Sequence, residues 1–254
     1  MPISQTNVSI RKNLMHKPDK NGPSIKLFLI MCVVYLFGTI PIFAGLAYFY
    51  KIFDISPSGL KTHLSEKLFL AQILLTILIV CYLWTKYREY LFGDNWKQNI
   101  RQYIITGLKW SIPVFIYHSF SLAVPSLREK LFKEIYSVGF IFSDGITGLG
   151  LLMFLCLILI GAINEEFLFR GILLKRMLDF FNSNVSLIFS SLIFALSHFL
   201  YSKIVPGNLI SHFLIGMLCG VAFLSSRSCI SSFLPHLSNN LICFLFIYTR
   251  TIFT

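Results

Sequence analysis

The chain has 254 residues, of which 56% are apolar and only 13% charged, and its mean hydropathy is +0.73. These values exclude an ordinary soluble domain and define a multi-pass membrane protein. The formal charge of +11 does not point to nucleic acid. In so apolar a chain, basic residues between spans follow from the preference of Lys and Arg for cytoplasmic loops.

Residues 1–26 form a polar, basic tail holding Arg11, Lys12, Lys17, Lys20 and Lys26. The apolar run after it is longer than a signal-peptide core and shows no small-residue cleavage pattern, so the first span is expected to be retained. That span is Leu27–Tyr50, interrupted by Gly38 and Pro41. Lys51–Glu66 reads as a loop, Lys67–Thr85 as the second span, and Lys86–Trp110 as a loop rich in cations and aromatics. The third span, Tyr103–Val124, contains Pro113 and His118, the latter read as a hydrogen-bonded core residue. Leu127–Phe142 mixes charges with apolar residues and reads as an interfacial helix or the start of a further span.

Ile146–Ile163 is the fourth span, and its helical pattern continues to Met177, where Lys175 and Arg176 mark the water boundary. Val185–Tyr201 is the fifth and Asn208–Leu224 the sixth. Gly207, Gly216 and Gly220 there offer small surfaces for close helix packing. Ile230–Tyr248 is the last. The fold class is all-α, a polytopic transmembrane bundle of seven to eight helices around an intramembrane polar cavity, with a single transmembrane domain over 27–254. The distribution of Lys and Arg favours a cytoplasmic amino terminus. Six cysteines lie in or beside apolar runs without Cys-x-x-Cys spacing and read as small core residues.

The stretch Asn164-Glu165-Glu166-Phe167-Leu168-Phe169-Arg170-Gly171 sets two carboxylates and a guanidinium directly after an apolar run. An ionised group at the centre of a membrane helix costs about 2.5 to 3.5 kcal/mol, so such groups pair or serve a function. Glu166 and Arg170 are four apart and share a helical face, which predicts an ion pair. Glu165 lies about 100 degrees around the helix and is left for another partner. Two later spans also carry polar groups, His198 in one and His236 with Asn240 in the other. His236 and Asn240 share a face.

If these segments converge, Glu165 and an imidazole can take a proton from water and pass it to a leaving amine. His236 and Asn240 can then donate hydrogen bonds to an oxyanion. Taken singly, His198 reads as a core residue, and His236 with Asn240 as interhelical hydrogen-bond glue. No Gly-x-Ser-x-Gly or His-Glu-x-x-His segment offers a competing centre.

Glu165-Glu166-x-x-x-Arg170, Phe194-x-x-x-His198 and His236-x-x-x-Asn240, in this order on successive spans, resemble the three signature motifs of the CPBP family, the CAAX prenyl proteases and bacteriocin-processing or immunity proteins. The resemblance covers roughly residues 146–246 and extends to Phe169-Arg170-Gly171 and Asn239-Asn240-Leu241. It implies about eight membrane helices, a cavity open to the cytosol, and intramembrane peptide hydrolysis. Glu165 with His198 would activate water, His236 and Asn240 would bind the oxyanion, and Glu166 with Arg170 would support them. No cofactor is expected, although Glu165, His198 and His236 would also suit zinc, whose catalytic sites take three protein ligands.

The expected partners are a peptide or lipidated protein substrate and membrane lipids, with no nucleic acid. The expected location is a bacterial cytoplasmic membrane. A non-proteolytic immunity or scaffold member of the same family is the alternative. A transporter ranks last, because no internal repeat with paired broken helices is found.

Overall fold

A computed structural model describes residues 22–37, 57–93, 95–124, 148–198 and 206–253. The described residues contain helices and no strand. Helix α1 is Ile25–Phe37, α2 Pro57–Phe92, α3 Trp96–Ala123 and α4 Gly148–Glu166. Without a break, α4 continues as a π-helix over Phe167–Leu174 and a last α-turn over Lys175–Met177. Helices α5, α6 and α7 are Ser183–Ser197, Pro206–Ser226 and Cys229–Phe253. The all-helical bundle is therefore as the apolar pattern predicts. Most of the basic tail, Gly38, Pro41 and the amphipathic stretch Leu127–Phe142 lie outside the described residues.

Two expected loops are corrected. Residues 57–66 of the first are helical, since α2 begins at Pro57, whose fixed φ and missing N–H suit a first helical position. The stretch Lys86–Trp110 is likewise largely helical among its described residues, interrupted by a kink at Tyr87, where φ is −129° and ψ 18°, and by positive φ of 85° at Gly93 and 57° at Asn95. Aromatic packing decides this. Trp84, Phe92 and Trp96 stack edge-on or tilted with centroids 5.0, 5.8 and 5.5 Å apart, closing α2 onto α3. The arm of α2 before its kink at Tyr87 is about 45 Å long, more than a hydrocarbon core of about 30 Å. Its cationic end therefore has room to stay helical in the interface, where Lys86 lies 5.5 Å over the Tyr82 ring.

Three helical segments are long and apolar enough to cross a membrane, Leu70–Phe92, Leu209–Ser226 and Cys229–Phe246, and Ile25–Tyr35 and Ser183–Ser197 are shorter apolar helices. Large apolar side chains such as Leu78, Ile112, Ile116 and Phe120 stand exposed on α2 and α3, as suits helices whose outer faces meet lipid.

The centre of the bundle is the π-helical run. All eight of its residues are buried, and Leu168, Ile172 and Leu174 pack with Leu83 and Leu91 of α2 and Phe223 of α6. Around it, α7 packs on α3, and α6 on α5 and α7. The α5–α6 contact is close because α6 presents glycines there, as its sequence predicts for two of the three. A Cβ on Gly216 would stand 3.1 Å from Ser191 Cβ, and one on Gly220 would strike Leu187. Helix α5 starts where Asn182 accepts a hydrogen bond from the Val185 N–H at 3.0 Å, an ordinary N-cap.

Candidate active site

The end of α4 carries Glu165 and Glu166 on different faces. Glu166 is fully buried and takes its expected partner, as Arg170 Nη1 donates to Glu166 Oε1 at 2.9 Å. The second arm of the fork, Nη2, donates to the Gly216 carbonyl of α6 at 3.0 Å. That arm passes where Gly216 lets α6 come close. The guanidinium also sits over the Phe194 ring, 4.4 Å from its centroid. A charge this buried is held by its partner, a carbonyl and an aromatic face together.

His236 of α7 reaches the same oxygen, with Nδ1 2.7 Å from Glu166 Oε1. A carboxylate only accepts, so Nδ1 carries the proton and donates. In the neutral ring Nε2 is then a bare acceptor. It lies 3.6 Å from Glu165 Oε2. His198, at the carboxyl end of α5, is fixed in the same tautomer: its Nδ1 is 2.9 Å from the Phe194 carbonyl, which can only accept. Its Nε2 lies 3.7 Å from Glu165 Oε2.

Three acceptors thus face one another at separations too long for direct hydrogen bonds. Glu165 Oε2 is buried and has no hydrogen-bond partner among the described residues. Such a point calls for hydrogens or positive charge. A water molecule, a proton or a divalent cation would each satisfy it. The three groups are the Glu165, His198 and His236 set that the sequence offers to zinc. Glu166, Cys219 and His236 also bring candidate ligand atoms within 4.8 Å of one another, but the ion pair to Arg170 already occupies that carboxylate and opposes a second cation.

Asn240 lies one turn beyond His236 on α7. Its Oδ1 accepts from Asn239 Nδ2 at 3.3 Å, and Asn239 Oδ1 is 2.9 Å from His118 Nε2 of α3. No hydrogen bond among the described residues joins Asn240 to the glutamates. His118 is buried and bonded, as its reading as a core residue predicts.

Two groups at the site escape the motif reading. Tyr35 of α1 donates to Glu165 Oε1 at 3.0 Å. Its signal was a phenol in an aliphatic span, since a buried Tyr hydroxyl needs a partner. His212 of α6 stacks on His198 with ring centroids 4.2 Å apart. The reasoning that singles out one histidine in an apolar span applied equally to it.

This is a polytopic helical membrane bundle with a buried carboxylate–imidazole cluster. Residues 147–242, which hold all of these groups except Tyr35 and His118, match the family model described as type II CAAX prenyl endopeptidase Rce1-like. The match agrees with the CPBP resemblance carried by the three motifs, and at family level it is to a CAAX-type protease. No curated protein and no solved structure matches the chain.

Proposed function

We propose that the protein is an intramembrane endopeptidase that hydrolyses a peptide bond of a small membrane-associated or lipidated peptide. The observation that carries this reading is the convergence of Glu165 Oε2 with two imidazole Nε2 atoms at 3.6 and 3.7 Å. A water between them gives one hydrogen to Glu165 and is oriented by His198. As its O–H breaks, its oxygen attacks the substrate carbonyl and the proton stays on Glu165 Oε2. The oxyanion takes a hydrogen bond from the Asn240 amide, and His236 adds a second only when a further proton from solvent occupies its Nε2. The proton on Glu165 then passes to the departing amine as the C–N bond breaks.

A divalent cation held by Glu165, His198 and His236 is the other occupant compatible with three converging acceptors. It would polarise the carbonyl and activate the same water. We place the site in a bacterial cytoplasmic membrane with the amino terminus inside.

The test is cleavage of a panel of prenylated and unmodified peptides by purified protein, beside Glu165→Ala and with a chelator added. Cleavage lost in the variant and retained with chelator is expected. Loss with chelator and restoration by zinc would transfer the role to a metal. Equal cleavage by Glu165→Ala would overturn the mechanism.

A further inference from the structure

One contact brings a residue from outside the three motifs to the site, joining Tyr35 to Glu165. They are far apart in sequence, and Tyr35 belongs to α1, outside the Rce1-like segment. Two contacts hold the phenol in place. Gln72 Nε2 of α2 donates to the Tyr35 carbonyl at 3.2 Å, fixing this turn of α1 against α2. The hydroxyl itself meets the carboxylate at 3.0 Å, and Glu165 is only 16% exposed.

We infer that Tyr35 is a positioning residue for Glu165 that fixes which carboxylate oxygen handles the proton. A phenol O–H donating to Oε1 keeps that oxygen an acceptor before and after proton uptake. The proton taken from water must then reside on Oε2, the oxygen that faces His198 and His236. Without the phenol the carboxylate can rotate, and either oxygen, in either orientation, can take the proton. Pre-organisation of this kind acts on the chemical step rather than on substrate binding. The inference rests on the hydrolytic reading given above.

Tyr35→Phe in the full-length protein removes the hydroxyl and keeps the ring. Two measurements test it. The first is steady-state cleavage of the peptide preferred by the wild type: kcat should fall roughly ten- to a hundredfold, as for loss of a hydrogen bond to a charged group, with KM within about twofold. The second is the carboxylate stretching band of protein labelled with isotopic glutamate, assigned to Glu165 by difference from Glu165→Gln and expected to shift in Tyr35→Phe. An unshifted band overturns the contact whether or not the protein turns over. A shifted band with unchanged kcat overturns the positioning role. Absence of cleavage by the wild type overturns the hydrolytic reading and with it the catalytic role of Tyr35, while the band still decides whether the phenol holds the carboxylate.

Discussion

One oxygen of Glu166 receives both a guanidinium N–H from Arg170 at 2.9 Å and a ring N–H from His236 at 2.7 Å. Glu166 therefore joins α4 to α7 and sets the tautomer of a histidine whose other nitrogen faces Glu165. Its Oε2 has no hydrogen-bond partner among the described residues, so the stability of this carboxylate depends on Oε1.

Arg170→Ala leaves the Glu166 charge buried and uncompensated. The expected cost is about 3 to 5 kcal/mol, enough to unfold much of the population, measured as loss of monodisperse protein and a lower midpoint of thermal unfolding in detergent. Glu166→Ala/Arg170→Ala should be less damaging than the sum of the single changes, because neither charge is then left alone.

Phe194 supports the site through its ring. Arg170 lies over its face, and His198 and His236 meet it with centroids 4.7 and 5.6 Å away. Phe194→Ala is expected to destabilise by about 3 to 5 kcal/mol. Phe194→Leu keeps most of the volume but loses the cation–π contact, for about 1 to 2 kcal/mol. Thermal unfolding of both variants checks the order.

Helix α6 has little room to grow toward α5. At Gly216 a Cβ meets backbone and side-chain atoms of Ser191 at 3.1 to 3.2 Å, so Gly216→Ala should cost about 1 to 3 kcal/mol by overpacking. The same shift would draw the Gly216 carbonyl away from Arg170. At Gly220 the obstacle is the flexible end of Leu187, and Gly220→Ala should cost less. Comparing the two unfolding midpoints tests the difference.

Asn240→Ala should lower kcat by about a hundred- to a thousandfold, the usual effect of losing one oxyanion donor, with the unfolding midpoint nearly unchanged because the side chain is only partly buried. A large fall in the midpoint would assign Asn240 to structure instead.

Periodicity made the helices legible, and the spacing of Glu166 and Arg170 made their ion pair legible, because both are local properties of a helix. The ends of α2 and α3 were not, because Lys86, Arg88 and Lys97 look like loop residues until the Trp84, Phe92 and Trp96 rings are seen to pack. The π-helix over Phe167–Leu174 leaves no mark in the apolar pattern, since every one of its residues is buried and no polar face reports the wider turn. The partners of Tyr35 and His212 were illegible for another reason. Each meets its partner only through tertiary packing, and a single polar group in an apolar span does not name the helix it will face.

The hydrogen bonds that cross from the first half of the chain bear on how portable the Rce1-like segment is. Arg176 Nε donates to the Pro23 carbonyl at 2.7 Å, Lys175 Nζ to that of Tyr90 at 2.6 Å, and Ser231 Oγ to that of Tyr103 at 2.9 Å. With Tyr35 on Glu165 and His118 on Asn239, these stitches run along the whole length of the segment. Residues 147–242 cut out and grafted elsewhere would carry Glu165, Ser231 and Asn239 into lipid severed from their partners, which nothing there replaces. The three motifs lie in one half of the chain, but the groups that hold their side chains come from both.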